Sequence, residues 1–130
     1  MDNSILAGKY LRQILIESNE LMALLPKEKI FPLIANADTT FPFIVYSRSN
    51  LIPTYTKDGV CSNRATFEFV IVSNDYTESL NIANAVRHAL ETYRWYNDTI
   101  HIDPIRVDQV YEQTLDDAYI QRIQFSFNVN

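Results

Sequence analysis

His101 and Asp103 stand two residues apart in a segment of strand character, a spacing that puts an imidazole and a carboxylate on one face of an extended chain. Such a pair could begin a metal site, but a zinc centre takes three or four ligands and the chain has two histidines and one cysteine. The other histidine, His88, falls with Glu91 at i+3 on the polar side of a helical pattern, where a solvated pair is expected. Cys61 has no basic residue nearer in sequence than Lys57 and Arg64, so a reactive thiolate has little support and an inert cysteine is expected. Asp108, Glu112, Asp116 and Asp117 form an acidic stretch that could attract a divalent cation. Tyr111 and Leu115 interleave with it as in a hairpin, and a solvated turn is the reading adopted.

The usual signatures of catalysis are missing. Gly8 and Gly59 are the only glycines, too few for a loop that cradles phosphates, and G-x-S-x-G, H-E-x-x-H and C-x-x-C do not occur. No catalytic residue, cofactor or metal is assigned, and the chain is not expected to be an enzyme.

The elements that would position these residues follow from periodicity. Ser4 precedes Ile5, Leu6, Tyr10, Leu11, Ile14 and Leu15 at helical spacing, predicting a helix over 5–18, with a second short turn over 20–25 that ends before Pro26. A stronger helix begins after Thr77, which can cap it, and carries Ile82, Val86, Ala89, Leu90 and Tyr93 on one side. Period-two alternation marks strands at Phe41, Phe43 and Val45, at Phe67, Phe69 and Ile71, and at Ile123, Phe125, Phe127 and Val129. A fourth strand over 100–110 is interrupted at Pro104. The fold class predicted is α+β, an antiparallel four-stranded sheet with helices packed on one face.

Asp58-Gly59 favours a two-residue type I′ turn pairing Lys57 with Val60. That register would put Phe43 and Phe69 on opposite faces, so an extra residue near Pro53 is expected to restore them to one face and kink the hairpin. The outer part, 51–63, would then protrude as an arm bearing Leu51, Ile52, Tyr55, Lys57, Asp58 and Gly59. On this reading Ile44, Tyr46, Val70 and Val72 share the sheet face that the two helices do not cover, and a partner subunit is one candidate to cover it.

Composition bounds the classes. The 130 residues, 47% hydrophobic and 12% aromatic, make one ordinary globular domain over 1–130, able to bury its core without disulfides. Eleven basic against sixteen acidic residues give a net charge of −5, and there is no basic stripe for nucleic-acid binding. Charges at Asp2, Lys9, Arg12 and Glu17 break up any signal-peptide core, and no run suits a membrane span, so a soluble protein without conventional export is expected.

Phe41-Pro42-Phe43-Ile44-Val45-Tyr46, preceded by the helix and Leu-rich turn and by Ile30-Phe31, leads on to Tyr55-Thr56-Lys57-Asp58-Gly59, the strand 67–72 and the helical Ala85-Val86-Arg87-His88-Ala89-Leu90. Over roughly 5–129 this order resembles the tail-completion proteins of long-tailed bacteriophages and prophages, also called tail terminator or tail-to-head joining proteins. The resemblance implies a structural α+β protein forming a ring, of six subunits, at the head-proximal end of the tail tube. There it would contact itself, the tail tube protein and the head connector, in the bacterial cytoplasm during assembly and then in the virion tail. Two other readings stay open on the residues alone: a small-molecule-binding or enzymatic α+β domain using His101 or Asp103, and an adaptor that docks one protein partner through the arm.

Overall fold

The computed structural model describes residues 2–130, and of Val60 and Cys61 the backbone alone. Helix α1 (Ala7–Ile16) follows a 3₁₀ turn at Ser4–Leu6 and buries Ala7, Leu11, Ile14 and Leu15. The short α2 (Asn19–Met22) is capped by the Ser18 hydroxyl, which accepts from Leu21 N. Helix α3 (Tyr76–Leu90) begins two residues earlier than a cap at Thr77 predicts. Its cap is Asp75, whose carboxylate accepts from Glu78 N at 3.1 Å and complements the positive end of the helix dipole better than a threonine hydroxyl would.

Seven strands form one sheet: β1 (Ile30–Pro32), β2 (Phe43–Thr56), β3 (Gly59–Ser73), β4 (Trp95–Tyr96), β5 (His101–Ile102), β6 (Arg106–Leu115) and β7 (Ala118–Val129). Their order is β1-β2-β3-β7-β5-β4, with β6 continuing the β7 edge beyond β5. The α+β class stands, but the four-stranded, wholly antiparallel sheet does not, because β1 runs parallel to β2. Strands β1 and β4, three and two residues long, are too short to show a period. Pro104, which cannot donate a ladder bond, splits the strand expected over 100–110 into β5 and β6. The acidic stretch forms the β6–β7 hairpin as expected, with Asp116 in the turn at φ 54°.

The register of β2 on β3 differs from expectation. Thr56 pairs with Gly59, so the turn residues are Lys57 and Asp58, and positive φ falls on Gly59 (113°) alone, where a type I′ turn at Asp58-Gly59 would need it at both. Two irregularities follow in place of one near Pro53: β2 takes an extra residue between Arg48 and Asn50, and β3 takes one opposite Thr54 and Tyr55. Their effects on parity cancel. Phe43 therefore lies opposite Val72, Ile44 opposite Ile71 and Tyr46 opposite Phe69, so Phe43 and Phe69 are on opposite faces after all.

All three helices cover one face. Beneath them lie Ile44, Tyr46, Phe67, Phe69, Ile71, Ile123, Phe125 and Phe127, joined by Leu11, Leu15, Ile82 and Val86 from above. Aromatic contacts knit this layer: Phe67 stacks on Phe127 at 5.8 Å and Phe69 meets Phe125 edge-on at 5.6 Å. Helix α1 comes so close that a Cβ on Gly8 would sit 3.3 Å from Phe67 Cε2.

Candidate functional site: the open sheet face and the arm

Among the described residues no helix lies over the opposite face of the sheet. Alternation places Phe43 and Val45 of β2, Val70 and Val72 of β3 and Ala118 and Ile120 of β7 on this side. Val72, Ala118 and Ile120 form a small buried cluster with Phe43 and Val70 partly buried against it. Phe41, in the loop before β2, stacks on Phe43 at 5.9 Å with the rings 9° from parallel, and extends the apolar strip.

Beside the strip runs a polar network. Arg122 Nη1 donates to Glu68 Oε1 at 2.7 Å, the Tyr111 hydroxyl donates to Glu68 Oε2 at 3.0 Å, and Arg122 also reaches Gln113. That hydrogen bond to Glu68 raises the Tyr111 pKa. Farther along, the Ser126 hydroxyl donates to Asp108 at 2.8 Å and accepts from Arg64 at 2.7 Å. The acidic residues expected in a solvated turn are thus divided: Asp108 and Glu112 hold hydrogen bonds along β6, and Asp116 and Asp117 form the exposed turn.

The residues proposed from the sequence as one face are separated. Val70 and Val72 lie on the open side, whereas Ile44 (0% exposed) and Tyr46 (7%) are core beneath the helices. Phe43, Val45 and Ile120 belong to this face although the sequence does not single them out; for Phe43 and Val45 the signal is the run of apolar odd positions in β2, which periodicity alone cannot assign to one face or the other.

The arm is shorter than 51–63. Because β7 pairs with β3 down to Asn63, Leu51, Ile52 and Pro53 still belong to a three-stranded region, and Leu51 packs on the main core. Only 54–62 extends as a free two-stranded ribbon, with Tyr55 70% exposed and Lys57, Asp58 and Gly59 at its tip. Ile52, on the open face at the base, is 57% exposed.

The candidate chemical groups stay dispersed. His88 Nδ1 lies 3.1 Å from Glu20, not with Glu91, which pairs instead with Arg87. His101 Nε2 is 3.6 Å from Asp103 Oδ1, both exposed. The Cys61 side chain lies outside the described residues. Among the described residues no group of three or more His, Cys, Asp or Glu side chains converges, and no helix is long and apolar enough to cross a membrane.

These features define a small α+β module that presents one bare sheet face and a projecting hairpin. A family model described as Tail completion protein gp17 matches residues 9–128, and the chain belongs to this family of phage tail structural proteins. Among solved structures, a chain in the virion of a native gene transfer agent particle shares the fold at 13% identity, covering 92% of this chain and 90% of that one with a TM-score of 0.79. A second solved chain matches at 16% identity over 94% and 95% of the two chains, with a TM-score of 0.54. No curated protein matches.

Proposed function

We propose that this protein completes a phage or prophage tail by capping the head-proximal end of the tail tube as a homo-oligomeric ring, six being the number the family resemblance implies, and by joining the tail to the head connector. The observation that carries this reading is family membership across residues 9–128. The open face supports it: Phe43, Val45 and Val70 are only partly buried and no helix among the described residues lies over them, as on surfaces used for assembly. The arm supports it too, because a lone two-stranded ribbon is marginal in water and is better held against a neighbouring subunit or the tube. In this reading Val70, Val72, Ile52, Tyr55, Lys57, Asp58 and Gly59 meet partners, and Ile44, Tyr46 and Leu51 support them from the core. The protein acts by surface complementarity without turnover or cofactor, in the bacterial cytoplasm and then in the virion tail.

Deleting the gene from its parent element and imaging the lysate tests this. Full heads without attached tails and tubes of uneven length are expected, restored by the gene in trans. Normal virions at normal yield would refute it.

A further inference from the structure

The strongest unexplained feature lies on the helix side, where α1 meets β4. An open depression of about 530 Å³ is lined by Lys9, Tyr10, Arg12, Gln13, Tyr46 and Trp95. Lys9 and Arg12, three apart on α1, project from the same side of the helix. In a chain of net charge −5, no Asp or Glu lines this site, and neither cation forms an ion pair among the described residues. Arg12 is steadied by donating to Lys27 O at 2.9 Å and Ile30 O at 3.4 Å, which leaves further N–H groups of its fork free, while Lys9 Nζ rests 5.3 Å from the Tyr10 ring centre. The Trp95 ring sits 5.3 Å from that of Tyr10, and its Nε1–H is the one buried side-chain donor among the described residues with no acceptor. That N–H is shielded from solvent, so what the depression offers a ligand is two unneutralised cations and aromatic rings with no anion among its lining residues.

We propose that this depression binds a carboxylate carried on an acidic segment of a partner protein. Lys9 and Arg12 supply the charge, the Tyr46 hydroxyl supplies a neutral donor, and the rings of Tyr10 and Trp95 receive the apolar stem of the acidic residue or its neighbour. Burial pushes the Tyr46 pKa up, with Arg12 opposing, so this hydroxyl keeps its proton and can donate. A peptide fits better than a free small anion because the depression is open: it would leave much of a small ligand in water, whereas a chain crossing it is held on both sides of the carboxylate. The inference rests on this pocket and is independent of the ring proposed above, which is assigned to other faces of the molecule.

Trp95 is the only tryptophan, so its emission reports on this site alone. The test titrates the whole protein with a blocked peptide of alternating leucine and aspartate, and with its asparagine counterpart. A saturable change in Trp95 emission with the aspartate peptide, weakened by salt and absent with the asparagine peptide, is expected. Lys9→Glu, at an exposed position without an ion-pair partner among the described residues, should weaken binding about tenfold or more with an unchanged melting temperature. Calorimetry on Trp95→Ala, which removes the ring that lines the depression, should show weakened binding of the same peptide. No response to the aspartate peptide, or an equal response in Lys9→Glu, would overturn the proposal. Saturation by sodium citrate at the peptide's own concentration range would replace the peptide by a free anion and overturn it, and so would an emission change driven only by raising the protein's own concentration. Either result leaves the tail-completion reading untouched, just as normal virions from the gene deletion would leave peptide binding untouched.

Discussion

The Tyr46 ring lies over Phe69 across the β2–β3 ladder, centroids 5.4 Å apart and planes 16° from parallel. This contact commits Ile44 and Tyr46 of β2 and the odd positions of β3 to the helix-covered core, and it leaves Phe43, Val45, Val70 and Val72 for the other face. Which side chains are free to meet a partner follows from that one register.

Ile44→Ala should therefore cost about 2–5 kcal/mol, seen as a lower urea midpoint at unchanged slope, because it opens a cavity in a fully buried site. Val70→Glu should keep the helical circular dichroism and reduce self-association in light scattering. If Val70→Glu unfolds the protein, the open face is a second core and the assembly surface lies elsewhere.

At Gly8 two effects compete. Alanine favours a helix by about 1 kcal/mol over glycine. Its Cβ would press on Phe67, itself held by the Phe127 stack, so Gly8→Ala should come out near neutral in thermal unfolding. Gly8→Val, which adds bulk on the same side, should destabilise by about 1–3 kcal/mol.

Asp2 ties the chain start to β3. Its carboxylate accepts from the Ser4 hydroxyl, from Ser4 N at 2.9 Å and from Asn63 Nδ2 at 3.0 Å, and these bonds, the Ser4 hydroxyl first, hold its pKa below the ordinary 3.8. A depressed carboxylate pKa adds stability that is fully present above 3.8 and is lost as pH falls through the lower folded-state value. Asp2→Asn should accordingly lower the melting temperature at neutral pH, with the gap to wild type closing in acid. A gap that persists unchanged there would show that the charge is not what stabilises.

Replacing His88 and His101 by glutamine should change stability by no more than about 0.5 kcal/mol, since both ion-pair contacts are exposed. Denaturant titration measures it, and tail joining should continue.

Trimming 54–61 to a minimal turn should leave the melting temperature nearly unchanged, because β7 gives no third strand beyond Asn63. The trimmed protein should fail to join heads to tails in complementation. Gly59→Val should weaken the same step by disturbing a turn that needs φ near 113°. Full complementation by the trimmed form would remove the arm from the mechanism.

Much of this protein is written locally. The helical spacing of Leu11, Ile14 and Leu15, the alternation of Phe67, Phe69 and Ile71, the break at Pro104 and the acidic hairpin turn each depend on neighbours a few residues away, and the sequence alone determines them. So does the family resemblance, which rests on the order of such elements. The short β1 and β4 carry too few residues for a period and exist because β2 and β5 offer them ladder bonds. The face assignment could not be local either. Side-chain direction along a hairpin depends on every extra residue between the turn and the pair, and here two bulges cancel where one was inferred. The tertiary structure alone therefore decided that Ile44 and Tyr46 are core, that Phe43 and Val70 turn to the other face, and that Trp95 lines one depression with Lys9 and Arg12, far from it in sequence.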